Sequence, residues 1–299
     1  MATDKRREGE GRLCDTPAGD PGRTLYKKDR RGFLKVLTIA RNTFREAIRD
    51  RILYNLLFFA LLMIAVSLLL ATLTVGEQSK IIIDIGLASI NIFGALIAIF
   101  LGIGLIIKEI EKRTIYNILS KPVPRYQFII GKYLGLLITI MVNIIIMGAG
   151  LYLILIINEL RWGHDIFNVN LDIWLDIWKA IYLIFIELMV VTAIALMFST
   201  FSSSSTLSAI FTIAAYIIGH LTEELRLIGN KLPDSFMKST INFFYYFLPN
   251  LDNFNVKGKV VHGIYVSASY ISLVTLYGLL YISVVLLLSG VIFQRRDFK

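Results

Sequence analysis

The chain has 299 residues, of which 56% are hydrophobic and 18% charged, and its formal net charge is +9. Soluble domains hold about 45–50% apolar and about 25% charged residues, so this balance excludes an ordinary water-soluble globule. The cations flank apolar runs instead of sharing one polar face with stacking aromatics, which excludes a nucleic-acid surface.

Residues 1–32 are polar and read as a disordered cytoplasmic tail. They lack the apolar core of a signal peptide, so no cleaved leader is expected. Cys14 is the single cysteine and cannot close an internal disulfide. Residues 33–51, FLKVLTIARNTFREAIRDR, predict an amphipathic helix. Phe33, Val36, Leu37, Ala40, Phe44, Ala47 and Ile48 recur at three- and four-residue steps, with Lys35, Arg41, Arg45 and Arg49 on the other side. Such a helix suits the membrane interface, its cations against anionic headgroups. Docking of a cytoplasmic partner through Arg41, Phe44, Arg45 and Ile48 is compatible with that role.

From residue 52 onward the pattern predicts an all-α polytopic membrane protein. Six spans are expected, at about 52–75, 81–107, 133–157, 178–200, 206–225 and 270–293. Gly86, Gly94, Gly102 and Gly104 in the second allow close helix approach. Glu187 follows Trp178 by nine residues, which places it roughly 13 Å deep at about 1.5 Å per residue. Asn143 sits at similar depth in the third span. A carboxylate there is costly and faces protein or water, so Glu187 and Asn143 are read as pathway contacts or as hydrogen-bonded groups at a helix or dimer interface. Asp84, His220, Glu223 and Glu224 lie toward span ends at spacings that match no metal pattern, and no metal site is expected.

The connections carry more pattern than simple turns need. Residues 108–132 read KEIEKRTIYNILSKPVPRYQFIIGK. Residues 108–120 can form a short helix with Ile115, Ile118 and Leu119 on one side and Glu109, Lys112 and Arg113 largely elsewhere. Pro122 and Pro124 stop it, and a new helix restarts near Tyr126. Gly131 and Gly135 let that helix pack closely as it enters the membrane. A rigid lever and a solvated connector both fit these residues. Residues 226–269 are too long for a turn, and FFYYF at 243–247 followed by Pro249 suits short helices at headgroup level. LDIWLDIW at 171–178 is a smaller interfacial signature of the same kind.

Orientation follows from the distribution of Lys and Arg. With the N-terminus inside, 23 of the 31 basic residues fall in inner segments and 8 in outer ones. Both termini are therefore expected in the cytoplasm.

The run E-x-E-x-R-T-I-x-x-x-L-S-K-P-V-x-R-x-x-F-x-x-G-K resembles the cytoplasmic loop of ABC-2-type ABC transporter permeases. Similarity continues from about residue 33 to 299, through the amphipathic helix, the six-span plan, STFSSSST at 199–206, LPNLDNF at 248–254 and the terminal FQRRDFK. One departure is Arg113, where many members carry Gly. The resemblance implies a permease domain over 52–299 and a coupling helix resting on a separate cytoplasmic ATPase. Glu109, Glu111, Lys112, Arg113, Thr114, Ile115, Ile118, Leu119, Lys121, Pro122, Pro124 and Arg125 would form the main contact. Ser202 and Ser203 would add a smaller one. It further implies a dimer of permeases, export as the common direction, and short re-entrant helices before the last span, with Phe244, Tyr246, Phe247, Pro249 and Asn250 at an outer gate. The setting implied is the plasma membrane of a prokaryote.

No G-x-x-x-x-G-K-[ST] phosphate loop occurs, and Lys238-Ser239-Thr240 lacks its glycines. No cofactor is therefore expected on this chain; ATP and Mg would lie on the partner ATPase, and the chain itself would not be an enzyme. A stand-alone secondary transporter driven by an ion gradient is the alternative. It would need internal repeats and a midplane ion site, and no half-to-half repeat is visible. A membrane-embedded enzyme would need clustered nucleophiles, acids or metal ligands at one depth, which the scattered Ser and His residues do not supply.

Overall fold

A computed structural model describes residues 21–74, 77–111, 124–161, 171–202, 204–222, 224 and 249–295. All elements among them are helical: α1 (Pro21–Ile48), α2 (Arg51–Thr72), α3 (Gln78–Glu111), α4 (Arg125–Arg161), α5 (Leu171–Phe201), α6 (Ser205–His220), a 3-10 turn (Asp252–Phe254), α7 (Lys257–Val261) and α8 (Ala268–Arg295). Five helices, α2, α3, α4, α5 and α8, are long and apolar enough to cross a membrane.

The fifth expected span, 206–225, comes out differently. α6 has 16 residues, about 24 Å at about 1.5 Å per residue, against a hydrocarbon core of about 30 Å. It stops at His220, where the apolar run gives way to Thr222, Glu223 and Glu224. α1 also differs from expectation: it begins at Pro21, ahead of residue 33, and ends at Ile48. Asp50 then caps α2, its carboxylate accepting from the Ile52 amide at 3.1 Å, which supplies one of the donors a helix start leaves unmet.

Burial sorts the helices into centre and periphery. Of their most apolar stretches, 72% of α5 and 67% of α3 is buried, against 22% each for α2 and α8. α3 and α5 therefore form the spine, and α2, α4 and α8 surround it. Gly94 and Gly102 set the spine's close approach: a Cβ on Gly94 would lie 2.5 Å from Leu188 Cδ1, and one on Gly102 would lie 2.9 Å from the Ala195 Cβ. Gly104 faces open space.

α1 docks on the first half of α4. Gly131 meets Ile39 and the Val36 carbonyl, and Gly135 meets the Ala40 carbonyl and Thr43. The close packing expected at these two glycines is present, and its partner is the amphipathic helix. Ala40, Thr43 and Ala47 are the buried seam of α1. Lys132, counted from sequence as a loop cation, lies inside the continuous helix α4 and is only 1% exposed. Its ammonium pairs with Glu46 of α1 at 3.4 Å and lies over the Phe128 ring. A buried cation needs such company.

Candidate functional site

The spine holds a polar network at its centre. Glu187 on α5 is completely buried. Asn91 on α3 donates from Nδ2 to Glu187 Oε2 at 2.9 Å, and His220 Nε2 on α6 lies 2.9 Å from Glu187 Oε1. Tyr216, one turn before His220, donates from its hydroxyl to Asn91 Oδ1 at 2.8 Å. Its ring also meets the His220 ring edge-on, with centroids 4.7 Å apart. Three helices are thus joined by a continuous chain of hydrogen bonds around one carboxyl group. A buried polar group without partners is expensive, and here both carboxyl oxygens are met.

Sequence reasoning put Asn143 at a depth similar to that of Glu187. The structure does not bring them together: Asn143, on α4, donates to the Thr139 carbonyl of its own helix at 2.8 Å. Asn91 and Tyr216 were missed, and His220 was assigned to a span end instead of to Glu187. A lone Asn inside an apolar run was the available signal, because such groups seek partners within the membrane. Among the described residues, no three His, Cys, Asp or Glu side chains come together in a metal-binding group.

Beyond α6 the chain packs back into the bundle. The Leu251 amide donates to the Gly219 carbonyl at 3.0 Å, and Pro249 is buried nearby. The Asn250 amide donates to the Tyr277 hydroxyl at 3.0 Å. Phe254 is buried beside Gly278, ten residues into α8. Tyr270 fixes the same turn by donating to the Asn253 carbonyl at 2.8 Å. α7 follows against α3 and α5. Of the five expected gate residues, Pro249 and Asn250 fall in this segment, whereas Phe244, Tyr246 and Phe247 lie outside the described residues.

At the opposite end, α3 runs on to Glu111 and α4 restarts at Arg125. Glu109 and Glu111 therefore stand on the last turn of α3. Lys112, Arg113, Thr114, Ile115, Ile118, Leu119, Lys121, Pro122 and Ser203 lie outside the described residues. The Pro124 carbonyl accepts from the Gln127 and Phe128 amides, opening α4. Arg125 donates to the carbonyls of Phe293 and Gln294 at the end of α8, at 3.0 and 2.9 Å. Ser202 is buried in the turn between α5 and α6, where its hydroxyl accepts from the Ser204 amide at 3.1 Å. On α1, Arg41 and Arg45 are exposed while Phe44 and Ile48 are half-buried.

LDIWLDIW forms the first turns of α5, continuous with the helix. Trp174 stacks on Tyr152 of α4 at 5.0 Å, and Trp178 is exposed.

Helix lengths, exposed apolar flanks and a polar centre define a multi-pass α-helical membrane protein. The family model described as ABC-2 family transporter protein matches residues 37–298, and the chain belongs to that family of membrane permeases of ABC transporters. Comparison with curated proteins gives no match.

Proposed function

We propose that this chain is the transmembrane permease subunit of an ATP-driven exporter, working as a homodimer with a separate cytoplasmic ATPase. Both termini face the cytoplasm of a prokaryotic cell, and residues 108–125 form the lever on which the ATPase acts. Glu109, Glu111, Lys112, Arg113, Thr114, Ile115, Ile118, Leu119, Lys121, Pro122 and Pro124 make its contacts, with Ser202 and Ser203 in a second one. α1 adds Arg41 and Arg45 at the same face. α6 serves as the short fifth of six spans, and the segment after it is a re-entrant outer gate containing Pro249 and Asn250. ATP and Mg bind the partner, and the chain carries no chemistry of its own.

One observation carries this reading. The segment with the family-like E-x-E-x-R-T motif is held at both ends by rigid structure, α3 on one side and α4 on the other. Arg125 ties the restart of α4 to the end of α8, and the Lys132–Glu46 pair ties it to α1. A push delivered at the start of α4 therefore reaches α8 and α1 as well.

The test is gentle purification of the full chain from its host, followed by a search for a co-purifying ATPase. Charge reversal at Glu109, Glu111 and Arg113 should release the ATPase and leave membrane insertion intact. Transport by the reconstituted chain on an ion gradient, without ATP or a partner, would instead establish the secondary-transporter alternative.

A further inference from the structure

We propose that the cavity between the start of α3, the end of α4, the start of α5 and α7 binds a quaternary ammonium group of choline size, with Glu159 as its counter-ion and the Trp174 indole as a wall. The inference stands on that cavity alone and goes beyond the permease reading.

The four elements leave a cavity of about 170 Å³ between them. Its walls are largely apolar, with Ile83, Leu155, Ile177 and Val260 buried around it. One side is closed by the turn that ends α7. Gly263 there takes a φ of 67°, and the Gly263 and Ile264 amides donate back to the Val260 and Lys259 carbonyls. Another side is Trp174, whose placement is fixed by α4. The Tyr152 ring stacks on the indole at 5.0 Å, and the Tyr152 hydroxyl donates to the Trp174 carbonyl at 3.0 Å. The aromatic wall is therefore set before any ligand arrives.

Glu159 supplies the charge. Its Oε1 accepts from the Ser79 hydroxyl at 3.0 Å, and Asn158, only 4% exposed, donates to the Ser79 oxygen at 3.4 Å. These contacts position the carboxylate at the cavity without neutralising it: among the described residues, Glu159 forms no ion pair. The cations that share the lining are drawn to another carboxylate. Lys80 pairs with Glu77 at 2.5 Å and, with a lesser pull from His262, holds the Glu77 carboxyl below its ordinary range.

Such a lining selects its occupant. An apolar molecule would strip water from Glu159 and return nothing, and an anion would be repelled. A hard cation such as calcium takes about six to eight oxygen ligands, far more than one carboxylate supplies. A primary ammonium would bring N–H donors against aliphatic walls that cannot accept them. A quaternary ammonium carries the charge without donors. Its methyl groups suit the aliphatic walls, and a desolvated cation of this kind is attracted to an indole. Size agrees with charge. A cavity of about 150 Å³ holds benzene, so this one, at about 170 Å³, takes a choline group. It excludes drug-sized molecules, whose pockets begin at about 300 Å³.

The experiment uses the full chain in nanodiscs of phosphatidylglycerol, with Trp162→Phe and Trp178→Phe so that Trp174 is the remaining tryptophan. Choline chloride should change the Trp174 emission saturably, beyond the response to sodium chloride at equal concentration. Glu159→Gln keeps an acceptor for Ser79 and should raise the half-saturating concentration at least about tenfold. Val261→Phe fills the cavity and should abolish saturation. Ethanolamine should bind more weakly than choline. Phosphatidylcholine added to the nanodiscs then identifies the source of the ammonium. Loss of the response to free choline marks a lipid head as the occupant, and a response that persists marks a soluble amine. An unsaturable response, an unchanged half-saturation in Glu159→Gln, saturation retained in Val261→Phe, or ethanolamine binding as tightly as choline would each overturn the proposal.

Discussion

The guanidinium of Arg125 closes the end of the last helix by donating to the Phe293 carbonyl at 3.0 Å, across 168 residues of sequence. The same nitrogen lies 2.9 Å from the Gln294 carbonyl. The last carbonyls of a helix lack partners within it and carry the negative end of its dipole, so a cation there is doubly suited. The Phe128 and Phe293 rings stack beside the cap at 5.9 Å. Arg125→Ala should lower stability by about 1–3 kcal/mol and expose the end of α8 to protease. Arg125→Lys should recover only part of this, because an ammonium cannot reproduce the planar fork. Thermal unfolding with limited proteolysis of the three chains checks it, and identical profiles would remove the cap from the account.

The docking of α1 rests on the space left by Gly135. A Cβ at this position would sit 2.5 Å from the Ala40 carbonyl and 2.6 Å from the Thr43 Cβ, both on the opposing helix. Gly135→Leu should therefore cost about 1–3 kcal/mol or more and lift α1 from α4, separating Glu46 from Lys132. Gly104 is the control, since a Cβ there meets nothing within 4 Å. Gly104→Ala should be neutral or stabilising by about 0.5–1 kcal/mol through helix propensity. Unfolding midpoints and accessibility of a cysteine placed on α1 separate the two outcomes.

How much of this was legible in the sequence depends on the range of the interaction. The five long helices follow from runs of apolar residues, a local property that hydropathy reads directly. The glycine pair 131 and 135 announced close packing, but periodicity names no partner, and α1 was not foreseen there. Glu187 was singled out by its cost in the membrane. Its partners lie 96 and 33 residues away on two other helices, and depth alone gives no rotation about a helix axis. For that reason Asn143 was singled out at a similar depth and Asn91 was not. The early end of α6 was hidden because Leu221 prolongs the apolar pattern past His220. The Leu251 amide that meets the Gly219 carbonyl at that end comes from outside any window of α6.

Lys257 makes a prediction in pH. Burial pushes its ammonium below the usual value of 10.5, against the opposing pull of Glu187, Asp84 and Asp252. A lysine whose folded pKa is depressed binds its proton more weakly in the folded chain than in the unfolded one. It therefore weakens the fold at neutral pH, and that cost disappears as pH rises from the folded pKa toward 10.5. Lys257→Met should be more stable than the parent at neutral pH, with a gap that narrows in alkaline solution. Unfolding midpoints at a series of pH values decide the matter; a gap that is absent or constant would show that the carboxylates outweigh burial.

The last prediction concerns the segment that packs back after α6. Phe254 is 1% exposed. Its ring fills the notch at Gly278, where a Cβ would lie 3.3 Å from the Phe254 ring and 2.8 Å from the Ile186 Cγ2. Leu251, Val256 and Val260 are buried with it, while α7 itself is only five residues long. So short a helix has little stability of its own, because nucleation is not repaid within a turn or two. The segment is held by its anchors, and Phe254 is the largest of them. Phe254→Ala should cost about 3–5 kcal/mol locally and speed hydrogen exchange across residues 249–261. The amides of α3 and α5, secured by their own packing, should stay protected. Gly278→Leu should give the same pattern from the other side of the notch. If exchange rises equally in α3 and α5, the segment is part of the spine and cannot move as a gate. If exchange rises in the segment alone, residues 249–261 are a separately releasable element, as an outer gate requires.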